Sequence, residues 1–147
     1  MKFHEKVLEE LKEATKMKQE ICGYLLCKNI SGELVALGYF VTGKGTPGRV
    51  VDDEKRLREF ERYRRGIEKQ YGKVIAIPFH THSKGTIETY GKRYVNYPSG
   101  GDLETMIKSQ WEEIVIFTPA GVLDVKRTGQ RNFRIDRSTY QKSVYRG

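Results

Sequence analysis

The sequence predicts a mixed α/β fold. Two stretches carry apolar residues at helical spacing, several short apolar runs have the length of strands, and Gly, Pro and Asn punctuate the junctions between them. Over residues 3–17, Phe3, Val7, Leu8, Leu11 and Ala14 mark one face of an amphipathic helix whose other faces carry Glu and Lys. Residues 21–27 and 34–42 are two apolar runs separated by the turn-forming residues 29–32, the pattern of an antiparallel hairpin. Residues 43–48 form a loop by composition. Asp52 or Asp53 then caps a second helix with Leu57, Phe60, Ile67 and Tyr71 on its buried stripe, Arg56, Arg58, Arg62, Arg65 and Lys69 largely outside it, and Gly72 at its end.

The remaining elements follow in order. Residues 74–79 read as a buried strand, 99–108 as a short helix, and 113–118 and 122–126 as two strands joined through Pro119-Ala120-Gly121. Phe133 and Ile135 suggest one more short strand before a basic, frayed end. The 147 residues suit a single domain with one sizeable core, and neither an internal repeat nor an interdomain linker is visible.

Composition excludes several classes. At 37% hydrophobic and 11% aromatic the chain can fold alone, and no apolar run approaches the roughly 20 residues of a membrane span. The start, Met1-Lys2-Phe3-His4-Glu5, lacks a signal-peptide core, so a cytoplasmic protein without membrane partners is expected. Cys22 and Cys27 lie five apart in a strand-like run, so they point to opposite faces and a disulfide between them is not expected. The balance of 27 basic against 19 acidic residues, a net +8, suits an acidic partner or a nucleic acid.

The chemistry gathers in two motifs. His80-Thr81-His82 follows the strand 74–79, and side chains two apart on an extended chain share a face, so both imidazoles can reach one metal ion; the bland alternative is two polar residues leaving a strand. Ser99-Gly100-Gly101-Asp102 opens the next helix. Its plainest reading is an N-cap with an acid three residues on, yet Asp102 can also supply a third ligand and leave a fourth position for water, as catalytic zinc requires. A general base is then needed, and spacing alone does not distinguish Glu20 from Glu13 or Glu33.

The set Glu20 before an apolar strand, His80-Thr81-His82, and Ser99-Gly100-Gly101-Asp102 resembles the JAMM (MPN-plus) zinc metalloprotease family, with all five functional positions in the family's order. The resemblance covers most of the chain and implies a cytidine-deaminase-like fold, a curved, mainly antiparallel mixed β-sheet flanked by helices. It implies one zinc ion per chain held by His80, His82 and Asp102, with Glu20 as acid/base and Ser99 as hydrogen-bond donor to the developing oxyanion. The implied activity is hydrolysis of an isopeptide or peptide bond after the C-terminus of a ubiquitin-like modifier protein.

Two features depart from the family pattern. Ser83 stands where the family usually has Pro, and sixteen residues separate His82 from Ser99, more than is typical of the family. The extra residues read as two short β runs around Gly91-Lys92, an inserted hairpin over 84–98 beside the metal. Its Tyr90, Lys92, Arg93 and Tyr94, with Tyr97, suit a grip on an extended polypeptide or a nucleic acid; a solvated loop is the plainer alternative. Two other functions stay open: a non-catalytic binding or scaffold module of the same fold, and a nucleic-acid-associated protein of the RadC type. The H-E-x-x-H zincins and the zinc deaminases are excluded, because their ligand motifs are missing.

Overall fold

The computed structural model describes residues 1–44 and 53–147. Its centre is a curled seven-stranded sheet in the order β1-β3-β2-β4-β5-β6-β7, flanked by helices. The strands are β1 (Lys2–Phe3), β2 (Ile21–Ile30), β3 (Glu33–Lys44), β4 (Ile75–Thr81), β5 (Glu113–Thr118), β6 (Gly121–Arg127) and β7 (Phe133–Ser138). Only β1/β3 and β4/β5 pair in parallel; the other pairings are antiparallel. The sheet is therefore mixed and mainly antiparallel, as the family resemblance implies.

Helices α1 (Glu5–Ala14) and α2 (Glu54–Tyr71) pack on opposite faces, because alternate residues of each strand point opposite ways. Leu25 and Cys27 join Val7, Leu8 and Leu11 of α1 in the main core, with Phe79, Val115 and Phe117. Leu26, between them, faces α2 and packs with Phe60 and Val74. The two cysteines form no disulfide. Helix α4 (Gly100–Ser109) covers Ile114, Ile116, Leu123 and Val125 through Met106, which is fully buried.

Several expectations need correction. The first helix spans ten residues, because Phe3 belongs to β1, which pairs with Val35 and Ala36 of β3. Gly43 and Lys44 extend β3 by pairing with Cys22 and Ile21; the rest of the expected loop, 45–48, lies outside the described residues, as does Asp52. Asp53 caps α2 by accepting the Lys55 amide. On that helix Tyr63, not the exposed Tyr71, continues the buried stripe, stacking near Phe40. The C-terminal end is tied down: α5 (Tyr140–Ser143) follows β7, Tyr140 Oη donates to the Thr118 carbonyl, and the Tyr145 amide donates to Phe3.

The largest difference concerns residues 84–98. No hairpin forms there; α3 (Lys84–Tyr90) is followed by a short 3-10 helix (Lys92–Val95). Ser83 caps α3 by accepting the Thr86 amide, and Gly91, at φ 119°, ends it in a conformation that favours glycine. The β-prone residues Thr86, Ile87, Thr89 and Tyr90 are thus overruled by a cap and by tertiary contacts. The Lys84 amide donates to Thr15, the Gly85 amide to Met17, and Gly85 lies so close to Lys18 that a Cβ would overlap its carbonyl oxygen.

Candidate metal centre

Strand β4 delivers the first two groups. It runs between β2 and β5, with His80 opposite Cys22 on one side and Ile116 on the other. The His82 amide then donates to the Phe117 carbonyl and carries the parallel pairing one residue past the strand end. His80 and His82 consequently leave on the same face, their ring centroids 5.3 Å apart. Helix α4 approaches that face with its N-terminus.

The cap of α4 fixes the third group. Ser99 Oγ accepts the Asp102 amide at 3.0 Å and Asp102 Oδ2 accepts the Ser99 amide at 2.8 Å, a complete capping box. The same carboxylate faces both imidazoles: Oδ1 lies 3.0 Å from His80 Nε2 and Oδ2 lies 2.9 Å from His82 Nε2. Cap and ligand are thus compatible roles for Asp102, and Ser99 Oγ keeps its own proton to donate. The three side chains are mostly withdrawn from solvent, His82 at 2% exposure.

His82 Nδ1 lies 2.9 Å from the Tyr94 carbonyl, which can only accept, so Nδ1 donates there and Nε2 is the ring atom turned toward Asp102. His80 Nε2 is buried without a hydrogen-bond partner, its contact with Asp102 lacking hydrogen-bond geometry. Two imidazole nitrogens and a carboxylate therefore lie together, a set that can hold a metal ion once both Nε2 atoms are unprotonated. Their ligand atoms all lie within 4.8 Å of one another. Tetrahedral zinc with bonds of about 2.0–2.1 Å sets its ligand atoms about 3.3 Å apart, and the two histidine–carboxylate distances, 3.0 and 2.9 Å, are a few tenths of an ångström shorter. The residues present fit the group.

The electrostatics agree. Burial alone would raise the Asp102 carboxyl, but the His80 and His82 imidazoles beside it outweigh burial and hold that carboxyl well below the usual range. Burial would likewise lower His80, but the Asp102 carboxylate, with a smaller contribution from Glu20, pushes it up.

Glu20, immediately before β2, is 4% exposed, and its Oε2 accepts from Thr86 Oγ1 at 2.5 Å. Glu20 precedes Ile21, whose amide donates to Thr81 Oγ1 between the two histidines, and its charge acts on His80, while Ser99 caps the helix that carries Asp102. The residues expected to grip a substrate are distributed differently. Tyr90, Lys92 and Arg93 are exposed, whereas Tyr94 supplies the carbonyl that orients His82 and sets its ring edge-on to the imidazole at 5.4 Å. Tyr97 is exposed and stacks with the Arg137 guanidinium, whose Nε donates to the Asn96 carbonyl at 2.7 Å. Sequence reasoning missed Ser83 and Thr86 as parts of the site. Their signal was the S-x-x-T spacing directly after His82, a helix-start pattern.

Compared with known proteins, the chain matches no family model and no curated protein. Fold and site define its class: a mixed α/β protein with a His80–His82–Asp102 cluster able to hold a metal ion and compatible with the JAMM motif.

Proposed function

We propose that this protein is a zinc-dependent metallopeptidase of the JAMM type that hydrolyses an isopeptide or peptide bond following the C-terminus of a ubiquitin-like modifier. The observation that carries the reading is the convergence of two imidazoles and a carboxylate, with the buried Glu20 close enough for its charge to act on His80. His80, His82 and Asp102 would hold one zinc ion, which when bound supplies an electrophile for the scissile carbonyl and a water of lowered pKa. Glu20 takes the proton of the attacking water and hands it to the leaving amine. The Ser99 hydroxyl, its lone pair already engaged by the Asp102 amide, donates to the oxygen of the tetrahedral species, where negative charge develops only in the transition state. The Tyr94 carbonyl keeps His82 in the tautomer that ligation requires.

The exposed Arg58, Arg62, Arg65 and Lys69 on α2 suit an acidic modifier surface and would speed encounter. The test is a panel of ubiquitin-like conjugates incubated with the zinc-loaded protein. Glu20→Gln should keep the metal and lose hydrolysis, whereas His82→Ala should lose both. Full activity in Glu20→Gln would remove the assigned base.

A further inference from the structure

The hydroxyl protons of Ser83 and Thr86, beside Glu20, each have an assignable acceptor. Ser83 Oγ donates to the Lys18 carbonyl at 3.0 Å and accepts the Thr86 amide at 3.2 Å, so its one proton is committed. Thr86 Oγ1 lies 3.2 Å from Ser83 Oγ but has no acceptor better placed than Glu20 Oε2, to which it donates. Glu20 accepts no other hydrogen bond among the described residues. Thr86 is itself 3% exposed and Ser83 fully buried, so water does not compete for these groups. The first turn of α3 is also clamped on the segment leading to Glu20 through Lys84–Thr15 and Gly85–Met17. One turn of helix thus connects the strand bearing the metal ligands to the carboxylate.

We propose that Thr86 is the positioning residue for Glu20: its hydroxyl holds Oε2 and leaves Oε1 as the single oxygen free to exchange a proton. The inference rests on the metallopeptidase reading for its catalytic meaning, but the positioning itself is independent of zinc. A carboxylate held by one oxygen cannot rotate between its two faces, so the proton arrives at and departs from one place. Ser83 supports this by fixing the Thr86 backbone and keeping its own proton turned toward Lys18.

The test is a double-mutant cycle in the metal-free protein, read by urea unfolding at neutral pH. Thr86→Val keeps the shape and deletes the hydroxyl; Glu20→Met removes the acceptor. In the wild-type background Thr86→Val should lower the folding equilibrium constant by roughly 10- to 100-fold, the range for a hydrogen bond to a buried charge. In the Glu20→Met background the same change should cost less than about threefold, since both partners are then apolar. Equal losses in the two backgrounds would show that Thr86 only packs, and would overturn the proposal. On a cleaved conjugate, Thr86→Val should reduce kcat with KM and zinc affinity unchanged, and Thr86→Ser should restore it; wild-type kcat in Thr86→Val would likewise overturn the assignment. If the wild type cleaves nothing, the peptidase reading fails while the cycle still decides on Thr86.

Discussion

Far from the metal cluster, Glu113 at the start of β5 and Asp124 on β6 bring two carboxyl groups together. Glu113 Oε2 and Asp124 Oδ1 are both buried, and neither accepts a hydrogen bond from a donor among the described residues. A shared proton supplies the missing donor. Burial, then the hydrogen bond and charge of Asp124, push the Glu113 carboxyl from 4.5 up to about 8. Because the folded value lies above the unfolded one, the group's contribution is complete below pH 4.5 and is lost as pH rises through 8. A displacement of that size corresponds to at most about 5 kcal/mol, and solvent screening at this half-buried position reduces it to about 1–2 kcal/mol.

Glu113→Gln keeps a donor toward Asp124 at every pH, so the variant should escape the loss. Urea unfolding of both proteins at pH 5, 7 and 9 measures it. Wild type should lose about 1–2 kcal/mol relative to Glu113→Gln between pH 5 and pH 9. Parallel pH profiles for the two proteins, or a wild type that gains on the variant as pH rises, would refute the shared proton.

Gly85→Ala forces a Cβ to within 2.2 Å of the Lys18 carbonyl oxygen and 2.8 Å of its Cα. Both atoms are backbone, so α3 must shift, at a cost of about 1–3 kcal/mol in urea unfolding; a neutral substitution would mean that the α3 contact is loose. Ser99→Ala removes the acceptor of the Asp102 amide. It should cost about 1 kcal/mol of stability and lower kcat on a cleaved conjugate while zinc stays bound; an unchanged kcat would remove Ser99 from the oxyanion role.

The legibility of the site followed the range of the interactions. His80 and His82 could be paired from sequence because a period of two is a local property of an extended chain, and Asp102 because a capping box spans one turn. Glu20 was not distinguishable by spacing from Glu13 or Glu33, and the difference lies in tertiary structure. Glu13 is exposed and paired with Lys16, Glu33 is exposed on β3, and only Glu20 is buried beside Thr86. Helix α3 was misread because Thr86, Ile87, Thr89 and Tyr90 favour strands, while the contacts that decide the matter, to Thr15, Met17 and Lys18, lie more than sixty residues away. The two-residue β1 and the anchoring of Tyr145 on Phe3 are likewise long-range facts. The alternation of Leu25, Leu26 and Cys27 between two cores, by contrast, is written into the strand itself.

His80, His82 and Asp102 lie close enough together to hold a metal ion. Elemental analysis of the purified protein after dialysis against zinc, beside the Asp102→Ala variant treated identically, tests most directly whether they do. About one tightly held zinc per wild-type chain is expected, with a large loss in the variant. No zinc in the wild type at neutral pH, or equal zinc in both proteins, would contradict this expectation and return Ser99-Gly100-Gly101-Asp102 to the role of a helix cap alone.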